Sequence, residues 1–157
     1  MSAYLAVKLV HILSATVLFG TGVGTAFFMF TAWRSGNLEA MRVTTRNVVL
    51  ADWLFTTPAV AVQFVTGVWL TLQLGIPLGS LWFAAVMALF LLAGACWIPV
   101  VVIQIRLRER LRRGDRDGRY DHLMRWWVAL GIPAFGSILL LFALMVYRPW
   151  VGTIVFS

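Results

Sequence analysis

Acidic side chains are scarce in this chain: six among 157 residues, beside two histidines and a single cysteine. One cysteine, Cys96, excludes an intrachain disulfide. So few Cys and His residues also exclude a structural zinc site, and no Ser/His/acid grouping points to hydrolysis. Charged residues of both signs make up only 12% of the chain against 61% hydrophobic. A soluble core of this length cannot hide that much apolar surface, so the chain belongs in a bilayer. The formal charge of +7 is not a nucleic-acid signal, because no polar folded scaffold carries it. A cleaved signal peptide is also excluded: no basic segment precedes the first apolar run, which continues to Trp33.

What is present is four long apolar runs, Ala3–Trp33, Ala51–Leu74, Ser80–Ile105 and Leu123–Tyr147. Each reaches the ~20 residues that a helix needs to cross a ~30 Å hydrocarbon core. None has the ten-residue alternation of a membrane barrel strand. The expectation is all-α: a single domain, residues 1–157, forming a bundle of four transmembrane helices. The first connection, Arg34–Leu50, sets Arg34, Arg42 and Arg46 against Glu39. The second, Gly75–Gly79, is an uncharged turn. The third holds seven arginines between Arg106 and Arg119, and its first part continues the third helix to a break at Gly114. Connections one and three share a side, and the positive-inside rule puts that side in the cytoplasm. Both termini then face the periplasm, and the protein sits in a bacterial inner membrane. The arginine stretch reads as a topology determinant that contacts anionic lipid.

Helix 1 carries two groups that are expensive in lipid, Lys8 and His11, about 6 and 10 Å below Tyr4 at 1.5 Å per residue. Spacings of three, four and seven align Tyr4, Lys8 and His11. Lys8 reads as an amine snorkelling to the headgroups. His11 is too short to snorkel; it is either hydrogen-bonded between helices or a ligand to a metal or haem iron. Counting residues from the helix ends brings Gly67, Met87 and Leu140 to its depth. Gly67 leaves room for a flat macrocycle, and Met87 would complete a His/Met pair. His122 opens helix 4 at the opposite surface, which excludes bis-histidine ligation within one chain.

Other features are quieter. Gly20 and Gly24, with Gly22 between, form a small-residue face for close packing within the chain or in a homo-oligomer. Gln63 and Thr66 are expected to bond a neighbouring helix, and Asp52 to favour the N-terminus of helix 2. Trp82, Trp126, Trp127 and Trp150 read as interfacial anchors. Pro58, Pro99 and Pro133 fall at one depth, where kinks would open the bundle.

Three stretches resemble the HemJ-type protoporphyrinogen oxidases. AYLAVKLVHIL is similar to their first helix, TPAVAVQFVTGVWL to their second, and LMVYRPW to their closing basic-Pro-aromatic signature. Arg125 and Pro133 fall where their fourth helix has an arginine and a proline. The chain is more similar still to a group of bacterial four-helix membrane proteins neighbouring HemJ and the CopD copper-resistance proteins. The resemblance implies that His11 ligates haem b, that Lys8 partners an acid such as a propionate, and that Arg148 is a second outer cation. Two features of the oxidases are missing: Ser80–Ile105 has no lysine or histidine, and VALGIP has no acid before its proline. Haem binding tolerates those losses better than porphyrinogen oxidation, which needs groups that accept protons.

The leading expectation is therefore a haem b redox protein that exchanges electrons with a quinone or a porphyrin. The alternatives are a CopD-like copper protein, with His11 joined by Met87 and Met145, and a structural subunit whose polar residues only lock helices together.

Overall fold

The computed structural model describes residues 3–115 and 117–147, and all of the ordered structure among them is helical. Helix α1 is Ala3–Ser35, α2 is Leu38–Ala51, a π-helical turn spans Asp52–Thr56, α3 is Thr57–Gln73, α4 is Leu81–Arg113 and α5 is Gly118–Tyr147. Four helical rods are long and apolar enough to cross a membrane: α1, the α2–α3 rod from Leu38 to Gln73, α4 and α5.

The expected loop over Arg34–Leu50 is not a loop. It shrinks to the turn Gly36–Asn37, and the chain is helical on both sides. Gly36 adopts φ 68° to end α1. Asn37 then caps α2, its side chain accepting from the amides of Glu39 at 3.0 Å and Ala40 at 3.1 Å, as a good N-cap does. Hydropathy misses α2 because half of its surface is polar. Met41, Thr45, Val48 and Val49 are buried at helical spacing, while Glu39, Arg42 and Arg46 lie outside.

Asp52 consequently does not sit at a helix N-terminus. It starts the π turn inside a continuous rod. Proline explains that turn: Pro58 has no N–H for the preceding carbonyls. The ladder loosens to a five-residue spacing there, with the Thr57 amide donating to the Asp52 carbonyl and the Thr57 hydroxyl donating to it at 2.9 Å.

Other termini follow local chemistry. The turn after α3 needs Gly75 at φ 65°, and the Ser80 hydroxyl caps α4 through the Phe83 amide at 3.2 Å. Helix α4 outruns its apolar segment by about two turns and stops, as expected, at Gly114, which adopts φ 80°. There the amides of Gly114 and Asp115 close back on Leu111 and Arg110 at 3.1 and 3.0 Å, the paired bonds of a glycine C-cap.

Helix α4 packs chiefly on α5 and α1 on α3, while α2 joins the pairs by contacting both α1 and α4. The tightest packing lies at the arginine-rich end, where Met29, Met41, Leu107, Leu111, Tyr120 and Met124 are buried together. Polar ties reinforce that end. The Arg42 guanidinium donates to the Leu111 carbonyl at 3.0 and 3.2 Å, and the Trp33 indole donates to Asp121 at 2.8 Å.

Two of the tryptophans expected at the interface are core residues. Trp127 is buried with Val100 and Ile103. Trp82 is buried against α5 and donates to the Leu144 carbonyl at 3.1 Å, one of the last carbonyls of that helix, which lack partners within it. Trp126 is exposed, and Trp150 lies outside the described residues. A Cβ added at Gly20, Gly22 or Gly24 would meet nothing within 4 Å, so these glycines serve no close packing within the chain. The surface toward lipid is a belt of exposed Leu, Phe, Val and Ile side chains on every rod, as a hydrocarbon solvent requires.

Candidate functional site

Toward the opposite end the two helix pairs are held apart, and a cleft of about 200 Å³ opens between them. Its walls come from α1 (His11, Ala15, Leu18), the π turn and α3 (Thr56, Gln63, Gly67, Thr71), α4 (Phe83, Met87, Trp97) and α5 (Ala134, Phe142, Met145). From Thr56 to Thr71 it runs roughly 22 Å along α3, at 1.5 Å per residue. Aromatic stacks bridge the pairs around it, Phe19 with Phe135 at 5.2 Å and Phe64 with Phe90 at 5.7 Å. Pro58, Pro99 and Pro133 are chain neighbours of its wall at Thr56, Trp97 and Ala134.

The cleft is mostly apolar; its polar side chains are Thr56 and Thr71 at its ends along the α2–α3 rod and the group where His11 meets α3. The His11 Nδ1 lies 2.8 Å from the Thr66 hydroxyl and its Nε2 lies 3.0 Å from the Gln63 side-chain nitrogen. The bonds around the ring fit a neutral imidazole with its hydrogen on Nδ1. Thr66 donates its hydroxyl hydrogen to the Val62 carbonyl at 2.6 Å, so toward His11 it accepts, and Nδ1 carries the hydrogen. Gln63 then donates to the Nε2 lone pair, while its Oε1 accepts from Ser14 at 2.5 Å. A neutral imidazole with its lone pair at Nε2 is the form that ligates metals, and a partner on Nδ1–H is what normally fixes it. Gly67 completes the seat: a Cβ there would lie 3.2 Å from His11 Cε1, so the ring rests against a helix with no side chain beneath it.

A family model described as "Predicted integral membrane protein (DUF2269)" matches residues 5–149. This chain belongs to the DUF2269 family. The match takes in all four rods and every wall of the cleft. No curated protein and no solved structure matches.

In this DUF2269 protein His11, Gly67 and Met87 do share one cavity, and Met145 joins them. Gln63 and Thr66 do bond a neighbouring helix, and the group they hold is His11. The structure does not bring Lys8 to the cleft: it is exposed on α1, one turn before His11. Leu140 also points away, and Ile138 and Leu141 line the wall in its place. Arg148 lies outside the described residues. His122 belongs to the arginine-rich end, where it accepts from the Trp126 indole at 3.0 Å. Sequence reasoning missed Ser14, which the i, i+3 step from His11 places on the same face, and it missed that Asp52 is buried.

The donor set fits one axial imidazole once the Gln63 amide swings off Nε2. A macrocycle also needs a wider cleft, since pockets for drug-sized ligands run from roughly 300 Å³ upward. The seam that would have to widen is the one between α1/α3 and α4/α5, the two pairs that pack least against each other. Among the described residues no cluster of three or more His, Cys, Asp or Glu side chains offers a site for a free hard metal ion.

Proposed function

We propose that this DUF2269 protein is a redox protein of the bacterial inner membrane in which His11 would hold haem b through Nε2. The observation that carries the reading is the seat of His11 on α3, with Thr66 at Nδ1, Gln63 at Nε2 and Gly67 beneath the ring; Nε2 becomes a ligand once the Gln63 amide moves off it. Met87, across the cleft on α4, would be a second side chain to hold the group, and Gly67 gives the imidazole its place against α3. Haem would supply one-electron chemistry when bound. The chain orients the imidazole, excludes water with Phe64, Phe90 and Phe142, and keeps the cleft in contact with lipid, so that a quinone reaches it from the bilayer. Porphyrinogen oxidation, the HemJ-like activity, is a special case of this reading. The arginine-rich end faces the cytoplasm by the positive-inside rule, and Lys8, outside the cleft, snorkels to the opposite surface.

A copper reading has one observation in its favour: His11, Met87 and Met145 line the same cavity, a soft set suited to Cu(I). One experiment separates these readings. Protein purified in mild detergent from haem-replete cells is scanned oxidised and dithionite-reduced, with His11→Ala and Met87→Leu beside it, and its copper content is measured. A Soret band with sharp reduced α and β bands, lost in His11→Ala, supports haem. A colourless protein with stoichiometric copper supports the second reading. A colourless protein without copper, and a His11→Ala variant changed only in stability, refutes both and leaves a structural subunit.

A further inference from the structure

Asp52 is the one acidic residue within an apolar run, and it is buried at 6% exposure. Its Oδ1 accepts from the Thr56 hydroxyl at 2.9 Å, but its Oδ2 has no partner. Gln104, on α4, reaches toward the same carboxyl, and its Oε1 is unpartnered as well. A buried carboxylate oxygen without a donor is costly, and a proton on the carboxyl removes the buried charge; Gln104 beside it can meet either form, giving its N–H to a carboxylate or its Oε1 to an acid O–H.

No cation takes that role among the described residues. From α2, Arg42 is engaged by Glu39 and the Leu111 carbonyl, and Arg46 is exposed. From α1, Arg34 is exposed, and α3 carries no ionisable group. On α4, Arg106 is exposed and Arg108 meets Glu109; on α5, Arg125 is exposed. The way to the arginine-rich end is closed by the apolar core of Met29, Met41, Val48 and Leu107. The way to the cleft is short, because Thr56 both bonds Asp52 and lines the cavity.

We propose that Asp52 is the proton-exchanging group of the cleft, binding and releasing a proton through Thr56 as a cavity ligand changes charge. A proton leaving a cavity donor arrives at the Thr56 oxygen while the hydroxyl's own hydrogen moves onto Asp52 Oδ1. One donor–H bond breaks, one Oδ1–H bond forms, and the carboxylate becomes a neutral acid. Release runs the same relay backward. The ligand class is a lipid-soluble molecule whose reduction takes up protons, as a quinone does. The inference rests on the cleft being a ligand site and not on His11 binding iron.

The test is infrared difference spectroscopy of the full protein in detergent as pH is swept from acid to alkaline, in H₂O and D₂O. The expected result is a carboxylic-acid C=O band that shifts in D₂O, disappears in Asp52→Asn, moves in Gln104→Leu and persists in His11→Ala. In Thr56→Val, hydrogen–deuterium exchange of that band should slow at least severalfold. A wild-type protein without the band, or a band that survives in Asp52→Asn, overturns the proposal; Gln104 would then simply donate its amide to a permanent carboxylate. An unchanged exchange rate in Thr56→Val overturns the route. Because His11→Ala keeps the band whether or not haem binds, failure of the haem reading and failure of this one give different spectra.

Discussion

Replacing Gln63 with leucine separates a placeholder from a lock. Gln63 bonds His11 Nε2 and Ser14, and leucine removes both bonds with little change in volume. Side-chain hydrogen bonds between membrane helices average about 0.6 kcal/mol each, so the variant should lose about 1.2 kcal/mol of stability. Ligation by His11 has the opposite sign. In the wild type the Gln63 bond must break before Nε2 can bind iron; in the variant that cost of about 0.6 kcal/mol is gone, and haem should bind roughly threefold more tightly. Stability is read from an SDS or thermal unfolding titration of the cofactor-free protein, and affinity from a Soret titration with haemin. A Gln63→Leu protein that unfolds earlier yet binds haemin at least as well as wild type meets both expectations. One that binds haemin tenfold more weakly refutes the reasoning, since Gln63 would then support the bound state and not merely cover Nε2.

Thr66→Val removes the acceptor for Nδ1–H, so the ring is no longer held with its lone pair at Nε2; haemin affinity should fall 10- to 100-fold, the usual effect of losing such an outer partner. Gly114→Ala forces a side chain into left-handed backbone at φ 80°, and the loss, about 1–2 kcal/mol, should appear in the unfolding titration with the haem spectrum unchanged. Gly20→Leu should leave monomer stability within about 0.5 kcal/mol, because nothing in the chain lies near that Cβ. If the glycine face joins two copies, the same variant shifts the sedimentation profile from dimer to monomer.

The four spans were legible because hydropathy over ~20 residues measures the solvent that a helix requires. Helix α2 was not, for the same reason turned around. Its helix signal was the Leu38, Met41, Thr45, Val48 spacing behind an Asn cap, which a hydropathy window averages away. Polar residues inside the runs were read correctly as interhelical bonders in Gln63 and Thr66, yet sequence alone does not say across which seam they reach. Lys8 shows the limit of spacing arguments. Three residues are about 300° of helix, not a full turn, and an ammonium with a flexible stem finds more favourable solvation at the membrane surface than against an apolar cleft. Asp52 reads as an end-of-helix acid only when the helical stretch Leu38–Ala51 before it is left out.

The π turn at Asp52–Thr56 carries one more residue than an α-helix would use over the same rise, and it takes that residue up as a bulge, because each residue of a π turn winds less than the roughly 100° of an α-helix. Deleting a single residue there would restore regular winding and leave the segments on either side nearly in phase. Gln63, Thr66 and Gly67 would still face His11, and Met41 and Val48 would keep their places in the core. What would go is the loosened ladder itself, in which the Asp52 carbonyl takes both the amide and the hydroxyl of Thr57. The turn is therefore a local insert: a residue lost there is felt at Asp52 and Thr56, whereas a residue added elsewhere in the rod, unless absorbed the same way, would rotate the half beyond it by roughly 100°.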